Sequence, residues 1–166
     1  MGNLHKGHMA LVDKAKSYDS HVSASIFINP LQFNDASDFK NYPKSLDDDI
    51  ALLSKHGCDS LFVPDSSILD NIKEIKAPDT ALYLCGMNRP GHFDGVLTIV
   101  NKLFEITKPT RSFFGKKDFQ QLTLIKNFVI ENNLPIEIIS VDTVRELNGL
   151  AMSSRNNRLS EFDREK

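Results

Sequence analysis

The stretch Arg111-Ser112-Phe113-Phe114-Gly115-Lys116-Lys117-Asp118, continuing into Phe119-Gln120-Gln121-Leu122, reads as a strand, a glycine turn and the start of a helix. Arg111 to Phe114 is a short aromatic run of strand type. Asp118 to Asn132 carries helical spacing, and after Pro135 the run Ile136 to Val141 is again a strand. The same alternation extends upstream. Phe93 to Ile106 is helical, with Val96, Ile99, Val100 and Leu103 at three- and four-residue spacing. Val22 to Ile28 is a strand ending at Asn29-Pro30, and Ser60 to Val63 is a strand closed by Pro64. Between them Ser45 to His56 is a helix with Leu46, Ile50 and Leu53 on one face. Ser45 can cap it, and Asp47, Asp48 and Asp49 fall where the helix dipole favours acid. Met9 to Tyr18 is helical, and Ser160 to Lys166 reads as a capped helix of about one turn. Strands alternating with helices predict a parallel α/β sheet covered on both faces, with ligands at the carboxyl ends of its strands.

Composition sets outer bounds. The 166 residues include 20 basic and 22 acidic side chains, a net charge of −2, with 40% hydrophobic residues. That is the profile of a globular domain, with no electrostatic footprint for nucleic acid or an anionic membrane. No apolar run approaches the ~18 residues of a membrane span. Cys58 and Cys85 lack metal-type spacing and read as reduced cytosolic thiols.

Several segments carry candidate chemistry. Met1-Gly2-Asn3-Leu4-His5-Lys6-Gly7-His8 places two histidines around a glycine before a helix. Backbone N–H groups at a helix start bind phosphate, and imidazoles there can donate to phosphoryl oxygens. Two surface histidines, or an adventitious metal site, would read the same way. Gly115-Lys116-Lys117-Asp118 suits a nucleotide, with glycine for close approach, lysine for phosphate and the carboxylate for ribose. It equally fits a solvated turn with a capping aspartate. Met152-Ser153-Ser154-Arg155-Asn156 after Gly149 is a phosphate clamp or a polar loop. Asn29-Pro30-Leu31-Gln32-Phe33 and Arg89-Pro90-Gly91-His92-Phe93 offer amides and a basic pair for a small substrate, or merely turns and caps. Gln120-Gln121 would face solvent on an average helix.

Taken in order, these segments resemble one family, the pantothenate synthetases. Met1 to His8 resembles its M-G-x-L-H-x-G-H signature, related to the H-I-G-H motif of class I aminoacyl-tRNA synthetases and nucleotidyltransferases. Ile28 to Phe33 resembles V-N-P-x-Q-F. Arg89 to Gly95 (R-P-G-H-F-D-G), Phe114 to Leu122 (F-G-K-K-D-F-Q-Q-L) and Gly149 to Asn156 (G-L-A-M-S-S-R-N) are similarly close.

The resemblance implies a Rossmann-like doubly wound sheet and ATP-dependent condensation of pantoate with β-alanine through pantoyl adenylate, releasing pyrophosphate and AMP. It implies ATP contacts at Met1, Gly2, Asn3, Leu4, His5, Lys6, Gly7, His8, Gly115, Lys116, Lys117, Asp118, Val144, Met152, Ser153, Ser154 and Arg155. Of these, His8, His5 and Lys117 would act catalytically. Gln32 and Gln121 would hold pantoate, with Asn29, Arg89 and His92 lining the pocket. Asp47 and Asp48 resemble an acidic pair near Mg²⁺. A cytoplasmic homodimer is also implied.

Family members carry a strand ending in P-T-M-G before the histidines and a small C-terminal domain. The resemblance therefore implies that residues 1–159 form a nucleotide- and pantoate-binding domain without its first strand, and that residues 160–166 begin a truncated second domain. Two rival expectations stand beside it: another nucleotidyltransferase of the superfamily, and an inactive nucleotide-binding fragment.

Overall fold

A computed structural model describes residues 2–156 and 159–164. In chain order the elements are α1 (Lys6–Lys16), β1 (Ser23–Ser25), α2 (Ala36–Lys40), α3 (Leu46–Lys55), β2 (Ser60–Phe62), α4 (His92–Thr107), β3 (Arg111–Gly115), α5 (Phe119–Glu131), β4 (Glu137–Val141) and α6 (Glu161–Arg164). Both strand pairs are parallel, β1 with β2 and β3 with β4. Among the described residues the two pairs form separate two-stranded sheets. This departs from one continuous sheet.

The β3–β4 sheet is covered on both faces because β3 alternates. Phe113 packs with Met9, Val12 and Ala15 of α1, Val22, Ala24 and Ile26 around β1, and Leu53 of α3. The next residue, Phe114, packs instead with Val96, Leu97 and Phe104 of α4 and Ile125, Phe128 and Val129 of α5. Successive strand residues point to opposite faces, so one strand serves both layers. Ile125 is fully buried and Leu97 nearly so. Each such side chain contributes about 1.5–3 kcal/mol of transfer free energy.

Four local expectations change. Helix α1 begins at Lys6, earlier than Met9, because the His5 side chain caps it by accepting from the Gly7 amide. The strand read over 22–28 narrows to Ser23–Ser25, although Ile26 still donates to Phe62. Beyond it Asn29 caps the 3₁₀ turn Pro30–Gln32. On α3 the inward residues are Asp49 and Leu53, while Leu46 and Ile50 are each 42% exposed. Ser45 makes no side-chain cap bond; its hydroxyl donates to Asp49 and Asn3. The helix is turned by a polar anchor, described next, that outranks the apolar stripe.

Candidate active site

The turn before α1 is built around an acid. Asp49, 2% exposed, accepts from the Asn3 amide at 2.8 Å and the Leu4 amide at 2.6 Å. Asn3 takes a left-handed φ of 50°, which these bonds hold in place. The two histidines follow. His5 Nδ1 accepts from the Gly7 amide at 3.1 Å, and His8 Nδ1 accepts from the His5 amide at 3.2 Å. Their ring centroids lie 4.1 Å apart. A Cβ on Gly7 would come within 2.9 Å of the His5 ring, so the glycine first makes room for that imidazole.

This pattern fixes the tautomers. A ring nitrogen that accepts carries no proton, so both neutral imidazoles carry theirs on Nε2. Burial, then His5 and Lys117 among the neighbouring positive groups, pulls the His8 pKa down to about 3. Burial, then Lys117, lowers that of His5. Both rings are therefore neutral donors near pH 7.

Segments far apart in sequence converge here. The Lys117 ammonium donates to the Met152 carbonyl at 2.9 Å, and Met152 lies against Gly7. Met152 also donates through its amide to the Val144 carbonyl, so the small hairpin around 145–151 ties Val144 to the loop. Asn156, buried, braces that hairpin through Glu146 and the Ala151 carbonyl. Tyr42 meets the Ser154 hydroxyl at 3.3 Å, and Arg155 stacks over the Tyr42 ring and pairs with Asp38 at 2.8 Å. Ser153 accepts from the Arg155 amide. Arg89 is close enough to Arg155 and Asp118 to be shifted by both, after burial, which lowers it most.

Lys116 pairs with Asp142 at 2.6 Å. Asp118 is exposed at the N-cap position of α5 and makes no side-chain capping bond. Asp47 and Asp48 are exposed on α3. Lys6 is exposed, Gly2 buried, and Met1 lies outside the described residues.

On the substrate side, Asn29 is 2% exposed; its amide donates to the Gly95 carbonyl and reaches Gln32 at 3.3 Å. His92, also buried, donates through Nδ1 to the Gln32 carbonyl at 2.7 Å, and Arg89 reaches the same oxygen. Gln121 is half-buried on α5. Gln120 instead bonds Thr80, Tyr83 and Cys85 and holds that segment down. Asp49, Tyr42 and Asp38 escaped the sequence reading as site residues; Asp49, third in an acidic run, left a trace there, and Asn156 stood only as the end of the clamp segment.

Known proteins share this fold. The pantoate-beta-alanine ligase family matches residues 1–166. The pantothenate synthetase of Acinetobacter baylyi is 48% identical over 169 residues, covering 99% of this chain and 60% of that protein. That of Aliivibrio fischeri is 48% identical, covering all of this chain and 59% of the relative. The crystal structure of the Thermus thermophilus pantothenate synthetase superposes with a TM-score of 0.91 at 44% identity, covering 99% of this chain and 61% of that one. The Francisella tularensis pantoate-beta-alanine ligase, complexed with beta-gamma ATP and beta-alanine, gives a TM-score of 0.94 at 44% identity, over 99% and 65%. The chain thus spans about 60% of the length of the curated relatives it matches.

Proposed function

The chain belongs to the pantoate-beta-alanine ligase family, and on that premise we propose that the protein joins pantoate to β-alanine at the expense of ATP. The observation that carries this reading is the meeting of three distant segments: the His5–His8 turn, Lys117 and the loop at Met152. The Francisella relative, bound to beta-gamma ATP and beta-alanine, supports the choice of substrates.

In this reading the pantoate carboxylate attacks the α-phosphate, giving pantoyl adenylate and pyrophosphate. The β-alanine amine then attacks the acyl carbon, giving pantothenate and AMP. The Nε2–H groups of His5 and His8 and the Lys117 ammonium meet charge developing on phosphoryl oxygens. With its pKa so depressed, His8 acts as a neutral charge-stabilising donor. Gln32 and Gln121 hold pantoate; Asn29, His92 and Arg89 serve that side through Gln32. Ser153, Ser154 and Arg155 close on the phosphates, Val144 stands beside the adenine, and Asp118 takes the ribose. Gly2, Asn3, Leu4, Lys6, Gly7, Gly115 and Lys116 complete the nucleotide contacts.

Mg²⁺ would neutralise the triphosphate and the leaving pyrophosphate. Among the described residues no group of three His, Cys, Asp or Glu could cage a metal. Such an ion is ordinarily carried by substrate phosphate oxygens and one or two carboxylates, for which Asp47 and Asp48 are the candidates. A cytoplasmic homodimer completes the reading. Two free cysteines support the compartment, and exposed Leu82, Tyr83, Leu84 and Met87 offer an apolar surface for pairing. No described helix is long and apolar enough to cross a membrane.

The test is isotope exchange. The intact protein should exchange labelled pyrophosphate into ATP when given pantoate and Mg²⁺ without β-alanine. Exchange that requires β-alanine would exclude an adenylate formed first. Pyrophosphate exchange with a different acid, and none with pantoate, would favour another nucleotidyltransferase. ATP binding without exchange would favour an inactive nucleotide-binding fragment.

A further inference from the structure

Helix α4 lies unusually close to the 3₁₀ turn Pro30–Gln32, and Gly95 is where they meet. A Cβ built on Gly95 would overlap the Leu31 carbonyl and come within 2.9 Å of the Gln32 amide nitrogen. These are backbone atoms, which cannot rotate aside. The same helix holds the turn through hydrogen bonds. The Gly95 carbonyl accepts from Asn29 at 3.0 Å, and Asn29 Oδ1 accepts from the Leu31 amide at 3.2 Å. His92 Nδ1 donates to the Gln32 carbonyl at 2.7 Å. The place of the Gln32 side chain is thus set by a seat on α4, and the depth of that seat is set by the absence of a side chain at 95.

We infer that Gly95 is a positioning residue for the acid substrate: by letting the turn settle against α4, it places the Gln32 amide, with His92 as the second fastening. The effect falls chiefly on the pantoate side. The nucleotide turn rests on Asp49 of α3 and on Lys117 and Met152, and the seat approaches that side through Arg89, near Arg155 and Asp118, and through Phe33, which packs on Tyr42. This inference rests on the assignment of Gln32 to pantoate.

The experiment compares Gly95→Ala, His92→Leu, His92→Asn and Gln32→Ala in the intact protein. It measures KM for pantoate, KM for ATP, kcat and the thermal midpoint. Gly95→Ala should raise KM for pantoate at least about tenfold, and about 10²-fold if the turn moves by an ångström. KM for ATP should stay within about threefold, the signature of a change confined to one substrate. His92→Leu should act in the same direction. His92→Asn, whose amide can donate from near the Nδ1 position, should keep more of the pantoate affinity than His92→Leu. An equal rise in both KM values, or a lowered midpoint with both unchanged, overturns the inference. If Gly95→Ala does not fold, the two His92 variants decide: equal pantoate KM values overturn it. An unchanged pantoate KM in Gln32→Ala removes the assignment of Gln32 and this inference with it. A strong effect there with a wild-type Gly95→Ala overturns this inference alone.

Discussion

The Asp49 carboxylate accepts the Leu4 amide at 2.6 Å across 45 residues of sequence. With the Asn3 amide on its other oxygen, it fixes the turn that leads into His5. A helix-borne acid thus supports the histidine pair from behind, without being placed to touch a substrate. Hydrogen bonds to a charged group contribute about 1.5–3 kcal/mol each. Asp49→Ala should therefore destabilise the intact protein by on the order of 3 kcal/mol, and raise KM for ATP. Asp49→Asn, which keeps one acceptor, should lose about half as much. Denaturant unfolding checks this; an unchanged midpoint in Asp49→Ala would remove the anchor.

His8 should contribute to the acid limb of stability, together with His5 and His92, whose pKa values burial also lowers. Its folded pKa, about 3, lies below the unfolded value of 6.5. The unfolded chain therefore binds the proton first as pH falls. The stability due to neutral His8 is complete above pH 6.5 and is lost progressively between 6.5 and 3. At pH 5 the loss is up to about 2 kcal/mol, discounted for the part of the ring that meets solvent. His8→Asn, whose side-chain oxygen can still accept from the His5 amide, should flatten the slope over that window. Unfolding free energies at pH 7, 6 and 5 test this, and an NMR titration should show the His8 ring neutral throughout.

The alternation of strand and helix was legible because each element carries its own periodicity. The two covered faces were legible as a class, and Phe113 and Phe114 supply the detail on β3. The motifs stood out because glycine, lysine and histidine cluster at the ends of elements. Their supports did not stand out, since these depend on contacts over long separations. Asp47, Asp48 and Asp49 read alike as first-turn acids; only the Asn3 and Leu4 amides distinguish the third. Asp38 and Tyr42 lie in a stretch without a motif, and gain meaning from residues more than a hundred positions away. Gly7 stood among the ATP contacts that the resemblance implied, whereas its nearest demand comes from the His5 ring.

Arg155, Asp38 and Tyr42 fasten the loop at 152–156 to α2 and the chain just after it. The pair is half-exposed, so its net contribution to stability is at most about 1 kcal/mol. Asp38→Asn should leave the unfolding midpoint nearly unchanged and speed limited proteolysis in the loop several-fold. Cleavage at the wild-type rate would show that the ion pair does not fasten it.

Lys117 should couple to both histidines, because its charge lowers the pKa of each and its ammonium bridges to the Met152 carbonyl. Lys117→Met removes a positive neighbour, so both imidazole pKa values should rise. It also removes a donor aimed at developing phosphoryl charge, a loss of about 10²–10³ in rate. His8→Ala should cost a similar factor in pyrophosphate exchange for the same reason. If the two groups serve the same phosphoryl oxygens, their effects cannot multiply, because each single change already misplaces what the other holds. The double variant should therefore lose clearly less than the product of the two single losses. Gln121→Ala is the contrasting case: it should raise the pantoate requirement and leave ATP binding nearly intact. Combined with Lys117→Met, its loss should multiply. Exchange rates for the three single variants and the two doubles decide the matter. A multiplicative His8–Lys117 pair would place the two groups on separate steps, and a shortfall from the product between Gln121 and Lys117 would merge the two substrate roles assigned to them.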